Sequence, residues 1–125
     1  MNVEYFIKQL NEAQDLMKEE KYEDSIVILE RLKIIEEQGK FDYKLTHKLY
    51  QLLSNSHSFL NQKTIVNAIQ ELLIKQKSIS IKELNDLIKE RTNLNINDAE
   101  FRREIEILIL RGILPYNING NMIIF

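Results

Sequence analysis

The apolar period of this chain switches to β chemistry in its last thirteen residues, and that change limits the folds open to it. Up to Leu110, apart from the short segment Ser78-Ile79-Ser80, apolar residues recur every three or four positions, the spacing that lines one face of an α-helix. From Ile113 to Phe125 the pattern becomes short apolar runs around Asn119-Gly120, the composition of a β-hairpin. A chain with this order is mainly α with a small closing sheet, an α+β arrangement.

The first helix is predicted over Val3 to Glu19, where Phe6, Leu10, Ala13 and Met17 form one stripe. A second runs from Tyr22 to about Gln38 and stops at Gly39. It carries Ile28, Leu29, Leu32 and Ile35 on one side and Val27 and Ile34 on another, an arc wide enough to be covered twice. A third starts near Phe41 with Leu45, Leu49, Leu52 and Phe59, and Ser54 to Ser58 marks a turn or frayed end. Residues 1–60 thus give an antiparallel helical hairpin plus a third helix. Ala13 and Ser25 have the small-residue spacing of a tetratricopeptide-type hairpin, and a generic helical hairpin answers the same pattern.

Residues 61–125 read differently. A helix is predicted from Asn61, read as its N-cap, to Gln76, burying Ile65, Ile69, Leu72 and Leu73, and Ser78-Ile79-Ser80 reads as a short strand. Capping boxes at Ser80 to Glu83 and Asn97 to Glu100 start two further helices. The first buries Ile81, Leu84, Leu87 and Ile88; the second buries Phe101, Ile105, Leu108 and Ile109 and stops at Gly112. Asn119-Gly120 forms a type I′ turn, and Pro115, which cannot donate to a ladder, makes the strand before it an edge or a bulge. Helix, strand, helix, helix and hairpin make a winged-helix arrangement, expected to pack with the first part as one continuous unit.

Helical hairpins running into a winged helix resemble the PCI module of proteasome-lid, signalosome and initiation-factor scaffolds. The likeness rests on Ile79-Ser80-Ile81-Lys82-Glu83-Leu84, where a strand leads into a helix, and on Glu100 to Ile118, where Arg111-Gly112-Ile113-Leu114 follows a helix and precedes the wing. It implies a scaffold subunit that pairs edge to edge with other subunits. The tandem winged-helix subunits of membrane-remodelling complexes share this ending.

The chain has 125 residues, 44% of them hydrophobic, enough for a core, and no cysteine, which excludes thiolate zinc sites and disulfides. His47 and His57 share no ligand spacing, and Glu36, Glu37 and Asp42 read as a solvated helix end. The three glycines punctuate elements and form no phosphate loop. No enzyme, cofactor or metal site is expected. Glu4 stands where a secretory leader would be basic, and Ile105 to Leu110 falls far short of a membrane span, so the expectation is a cytoplasmic protein with no membrane insertion.

Two surfaces remain. The last strand, Met122 to Phe125, is apolar on both faces, so either Ile123 and Phe125 or Met122 and Ile124 await a cover from the first helices, a partner or a second copy. The expected contact residues are Tyr116, Ile118, Met122, Ile123, Ile124 and Phe125. Tyr5, Tyr22, Tyr43 and Tyr50 add amphipathic surface. The alternative is a DNA-binding regulator using Arg102 and Arg103 on the last helix. Asp98, Glu100, Glu104 and Glu106 oppose those two cations, and the wing from Pro115 to Asn121 has no Lys or Arg, so nucleic acid is disfavoured. A protein interaction module, scaffold or adaptor is the expected function.

Overall fold

The structure, a computed structural model, describes residues 3–39, 41–72 and 74–125. Its elements are α1 (Val3–Lys18), α2 (Tyr22–Gln38), α3 (Tyr43–Leu72), β1 (Ser78–Ser80), α4 (Ile81–Arg91), α5 (Asp98–Leu110), β2 (Asn117–Asn119) and β3 (Met122–Ile124). Met1–Leu60 and Asn61–Phe125 form two compact units, each with its own core.

In the first unit, α1 and α2 form the helical hairpin. Phe6, Leu10 and Ala13 of α1 meet Leu29 and Leu32 of α2 and Leu49, Leu52 and Leu53 of α3, and Phe6 stacks on Phe41 at 4.4 Å. The chain reverses through Glu20, which takes φ +62°, while Lys21 N–H closes on the Leu16 carbonyl at 2.9 Å. Those features define a Schellman-type stop with Glu20 at the left-handed position. Ala13 and Ser25 are both fully buried, so small residues sit inside this hairpin. The outer face of α2 is not covered as its wide apolar arc suggested: Val27 and Ile34 are 55% and 57% exposed.

The expected break at Ser54 to Ser58 does not occur, and Asn61 lies inside α3 rather than capping a new helix. The reason is where the polar residues fall. Ser54, Asn55 and His57 are exposed, and the inward position belongs to Ser56, fully buried with its Oγ 3.0 Å from Ser25 Oγ. A satisfied serine continues the stripe of Leu49, Leu52 and Leu53, and residues 43–72 contain neither Gly nor Pro. The helix ends at Leu72 rather than Gln76, and Leu73 lies outside the described residues.

The second unit has the winged-helix arrangement. Ile65, Ala68 and Ile69 of α3, Ile81, Leu84 and Ile88 of α4, and Phe101, Ile105 and Leu108 of α5 enclose a core closed by Ile79, Leu114 and Ile123. Leu87 and Ile109, expected inside, are half-buried against it. Ser80 Oγ accepts from Glu83 N–H at 3.1 Å to start α4. At α5, Asn97 Oδ1 accepts from Glu100 N–H at 2.8 Å while its Nδ2 donates to Glu100 Oε1. Gly112, at φ +74°, ends α5 with Ile113 N–H on the Leu108 carbonyl. The antiparallel sheet has the order β1-β3-β2.

The wing turn sits one residue later than its composition suggests. Asn119 pairs with Met122, which leaves Gly120 and Asn121 as the loop. Gly120 has φ +61°, and Glu20 is the one non-glycine described residue with positive φ, so only the first loop position is left-handed, the type II′ pattern. Pro115 precedes β2, so it interrupts no ladder bond; β2 is the edge because of the strand order.

Candidate functional site

The register of the sheet decides which wing residues face outward. Ile79, Ile123 and Ile118 form one cross-strand row, and Ile123 is fully buried in the core. The rows on either side, Ser78·Ile124·Asn117 and Ser80·Met122·Asn119, carry the opposite face because side chains alternate along a strand. Met122 and Ile124 are 37% and 36% exposed there, each bordered by a serine and an asparagine. Of the two faces left open by the sequence, the uncovered one is that of Met122 and Ile124. Ile123 is therefore a core residue and no contact residue. Tyr116, Ile118 and Phe125 are half-buried and pack on the core, with the Tyr116 and Phe125 rings edge-to-face at 4.8 Å.

The exposed face of α5 is bound up with itself and with the wing. Arg102 Nε lies 2.8 Å from Glu106 Oε1, and its Nη1 donates to the Gly120 carbonyl at 2.8 Å. The guanidinium thus spans helix and turn. Arg103 is largely exposed, with Nε 4.0 Å from Glu104 Oε1. Glu104 itself, expected on the outer face with the other acids, is 2% exposed. Its Oε2 accepts from Gln62 Nε2 at 3.4 Å, and Gln62 Oε1 accepts from Arg111 Nη1 at 2.7 Å, a chain linking α3 to α5. Arg102 and Arg103 are thus adjacent in sequence yet differ in freedom.

Asn85, fully buried on α4, was not singled out by the sequence. It donates from Nδ2 to the Ile96 carbonyl at 3.2 Å and to Asp98 Oδ1 at 2.9 Å, tying α4 to the start of α5. Asn85 and Glu104 share one signal: each is a polar residue at an apolar-stripe position, Asn85 beside Leu84 and Ile88, Glu104 beside Phe101 and Ile105. Asp98, the partner of Asn85, lines an open hollow of about 510 Å³ together with Ser80, Lys82, Arg102 and Asn121. Lys82 Nζ lies 3.2 Å from Asp86 Oδ2, so both of the hollow's cations have carboxylates beside them.

In the first unit, His47 stacks on Tyr43 at 6.0 Å and His57 Nε2 lies 3.5 Å from Glu30 Oε1. Among the described residues, no three His, Asp or Glu side chains come together as a metal set. No described helix is long and apolar enough to cross a membrane. Tyr50 donates to Glu36 Oε2 at 3.3 Å, and Glu36 Oε1 accepts from Thr46. Partial exclusion of water, then the Glu36 and Glu37 charges, raise the Tyr50 phenol above 10.0. Compared with known family models, curated proteins and solved structures, the chain has no match.

Proposed function

We propose that this chain is a non-catalytic interaction module, a scaffold or adaptor subunit of the PCI-like kind, working in the cytoplasm and holding protein partners or a second copy through its wing. The observation that carries this reading is the pairing of an uncharged edge with an uncovered apolar face. From Pro115 to Phe125 no residue is charged, β2 is an edge strand, and Met122 and Ile124 stand exposed beside it. Edge strands that must stay solitary usually carry a lysine, a proline or an inward charge, and β2 has none of these within it. The engagement of Arg102 by Glu106 and Gly120 supports the same reading, since it removes one of two cations that a duplex would need.

The test is a pull-down from native extract, with light scattering alongside, comparing the chain with Ile124→Asp and Met122→Asp. Both substitutions lie on the outer face, so the fold survives. Loss of co-purifying subunits or of self-association supports the wing as the interface; unchanged complexes reject it. A salt titration with mixed duplex DNA addresses the regulator alternative, in which Arg103 is the freer cation: tight, salt-steep binding would replace the scaffold reading.

A further inference from the structure

We infer that the outer face of α2 is a docking surface for a basic amphipathic helix, a site separate from the wing. Val27 and Ile34 are seven residues apart and lie on the side of α2 opposite the buried Ser25, Leu29 and Leu32. At 55% and 57% exposure they are among the most exposed aliphatic side chains described. Arg31, exposed and between them in sequence, stands at the border of that face.

The borders of that ridge state what fits it. Glu23, Glu30 and Glu37 repeat at intervals of seven and run along one side of it as a continuous acidic row. On the other side stand Asp24, Arg31 and Gln38. Over Tyr22–Gln38 the acids are Glu23, Asp24, Glu30, Glu36 and Glu37, against Arg31 and Lys33. An apolar seam with a heptad-spaced acidic flank is complementary to a helix whose own apolar stripe is bordered by Lys or Arg at the same spacing. A second copy fits poorly: residues 1–60 carry eleven acidic and eight basic residues, so pairing like with like brings acid to acid. An anionic membrane surface is repelled for the same reason. The occupant is a positively charged protein helix.

The probe is a labelled Leu/Lys heptad peptide, with a Leu/Glu peptide of the same stripe as its counterpart, read by fluorescence anisotropy on the full chain. The expected result is binding of the Leu/Lys peptide alone, weakened at least roughly tenfold both by Val27→Ser with Ile34→Ser and by Glu23→Gln with Glu30→Gln and Glu37→Gln. Glu4→Gln with Glu12→Gln on α1 is expected to leave the affinity unchanged. Failure of the unsubstituted chain to bind the Leu/Lys peptide overturns the inference. So does equal binding of both peptides, equal binding by the α2 variants, or equal loss in the α1 variant. The substituted side chains are exposed except Glu30, which is half-buried beside His57, and circular dichroism checks that each variant is folded. Ile124→Asp leaves this binding intact, which separates the inference from the wing reading.

Discussion

Arg102 of α5 donates to the carbonyl oxygen of Gly120 at 2.8 Å, so one guanidinium holds the wing turn against the helix while its Nε keeps Glu106. Replacing Arg102 by Ala removes both bonds and is expected to cost about 1 kcal/mol in urea denaturation, the side chain being partly solvated. Arg102→Lys restores less than half of the loss, because an ammonium lacks the planar fork that reaches both acceptors. Full recovery with Lys would mean that the Gly120 bond contributes nothing.

Adjacent residues of β3 should respond very differently. Ile123 is fully buried, and Ile123→Ala is expected to cost about 2–5 kcal/mol through lost burial and a cavity. Ile124→Ala lies on the open face and should stay within about 0.5 kcal/mol. Thermal and denaturant unfolding of the two variants checks both the register and the assignment of the outer face.

The sequence and the structure part company where a local signal has two physical readings. The helix starts at Ser80 and Asn97 and the stop at Gly112 were legible because each is decided by one side chain or one φ angle acting within a turn. The run from Ser54 to Ser58 was not, because whether serine breaks a helix depends on what faces it, and the partner of Ser56 is 31 residues away. Asn119-Gly120 and Gly120-Asn121 are both favourable hairpin loops, and they differ in the residue set opposite Ile123, Tyr116 in the first and Ile118 in the second; the structure has Ile118 there. The wing's outer pair was narrowed to two possibilities by composition and separated only by the sheet. Asn85 and Glu104 were visible as polar interruptions of apolar stripes, but their partners, Asp98 and Gln62, are fixed by tertiary packing.

Two positive-φ positions make opposite predictions. Gly112 adopts φ +74°, and a Cβ there would meet nothing within 4 Å, so Gly112→Ala is expected to lose about 1 kcal/mol from backbone strain alone. Glu20 adopts φ +62° with a Cβ already present, so Glu20→Gly is expected to gain about 1 kcal/mol. Differential scanning of both variants should move the melting temperatures in opposite directions.

The Tyr50 phenol is held above 10.0, by partial loss of hydration first and then by the Glu36 carboxylate. A raised folded-state value means that the contribution is complete below the unfolded phenol's pKa and is lost as pH climbs through the folded one. Glu36→Gln removes the negative charge, so the Tyr50 step in a phenolate absorbance titration should move downward. An unmoved step would assign the shift to hydration and the Glu37 charge.

The pair Ser25 and Ser56 offers the sharpest test of the first unit. Ser25 Oγ donates its one proton to the Tyr22 carbonyl at 2.8 Å, so across the 3.0 Å contact it accepts, and Ser56 is the donor. Ser25→Ala strips a fully buried hydroxyl of its acceptor, and the expected cost is about 1–3 kcal/mol. Ser56→Ala leaves Ser25 still bonded to Tyr22, so its cost should be smaller. Replacing both removes the stranded group altogether, and the double variant should be less destabilised than the two single losses added together. Denaturant midpoints for the four proteins complete the cycle, and strict additivity would mean that the two hydroxyls do not communicate across the helices.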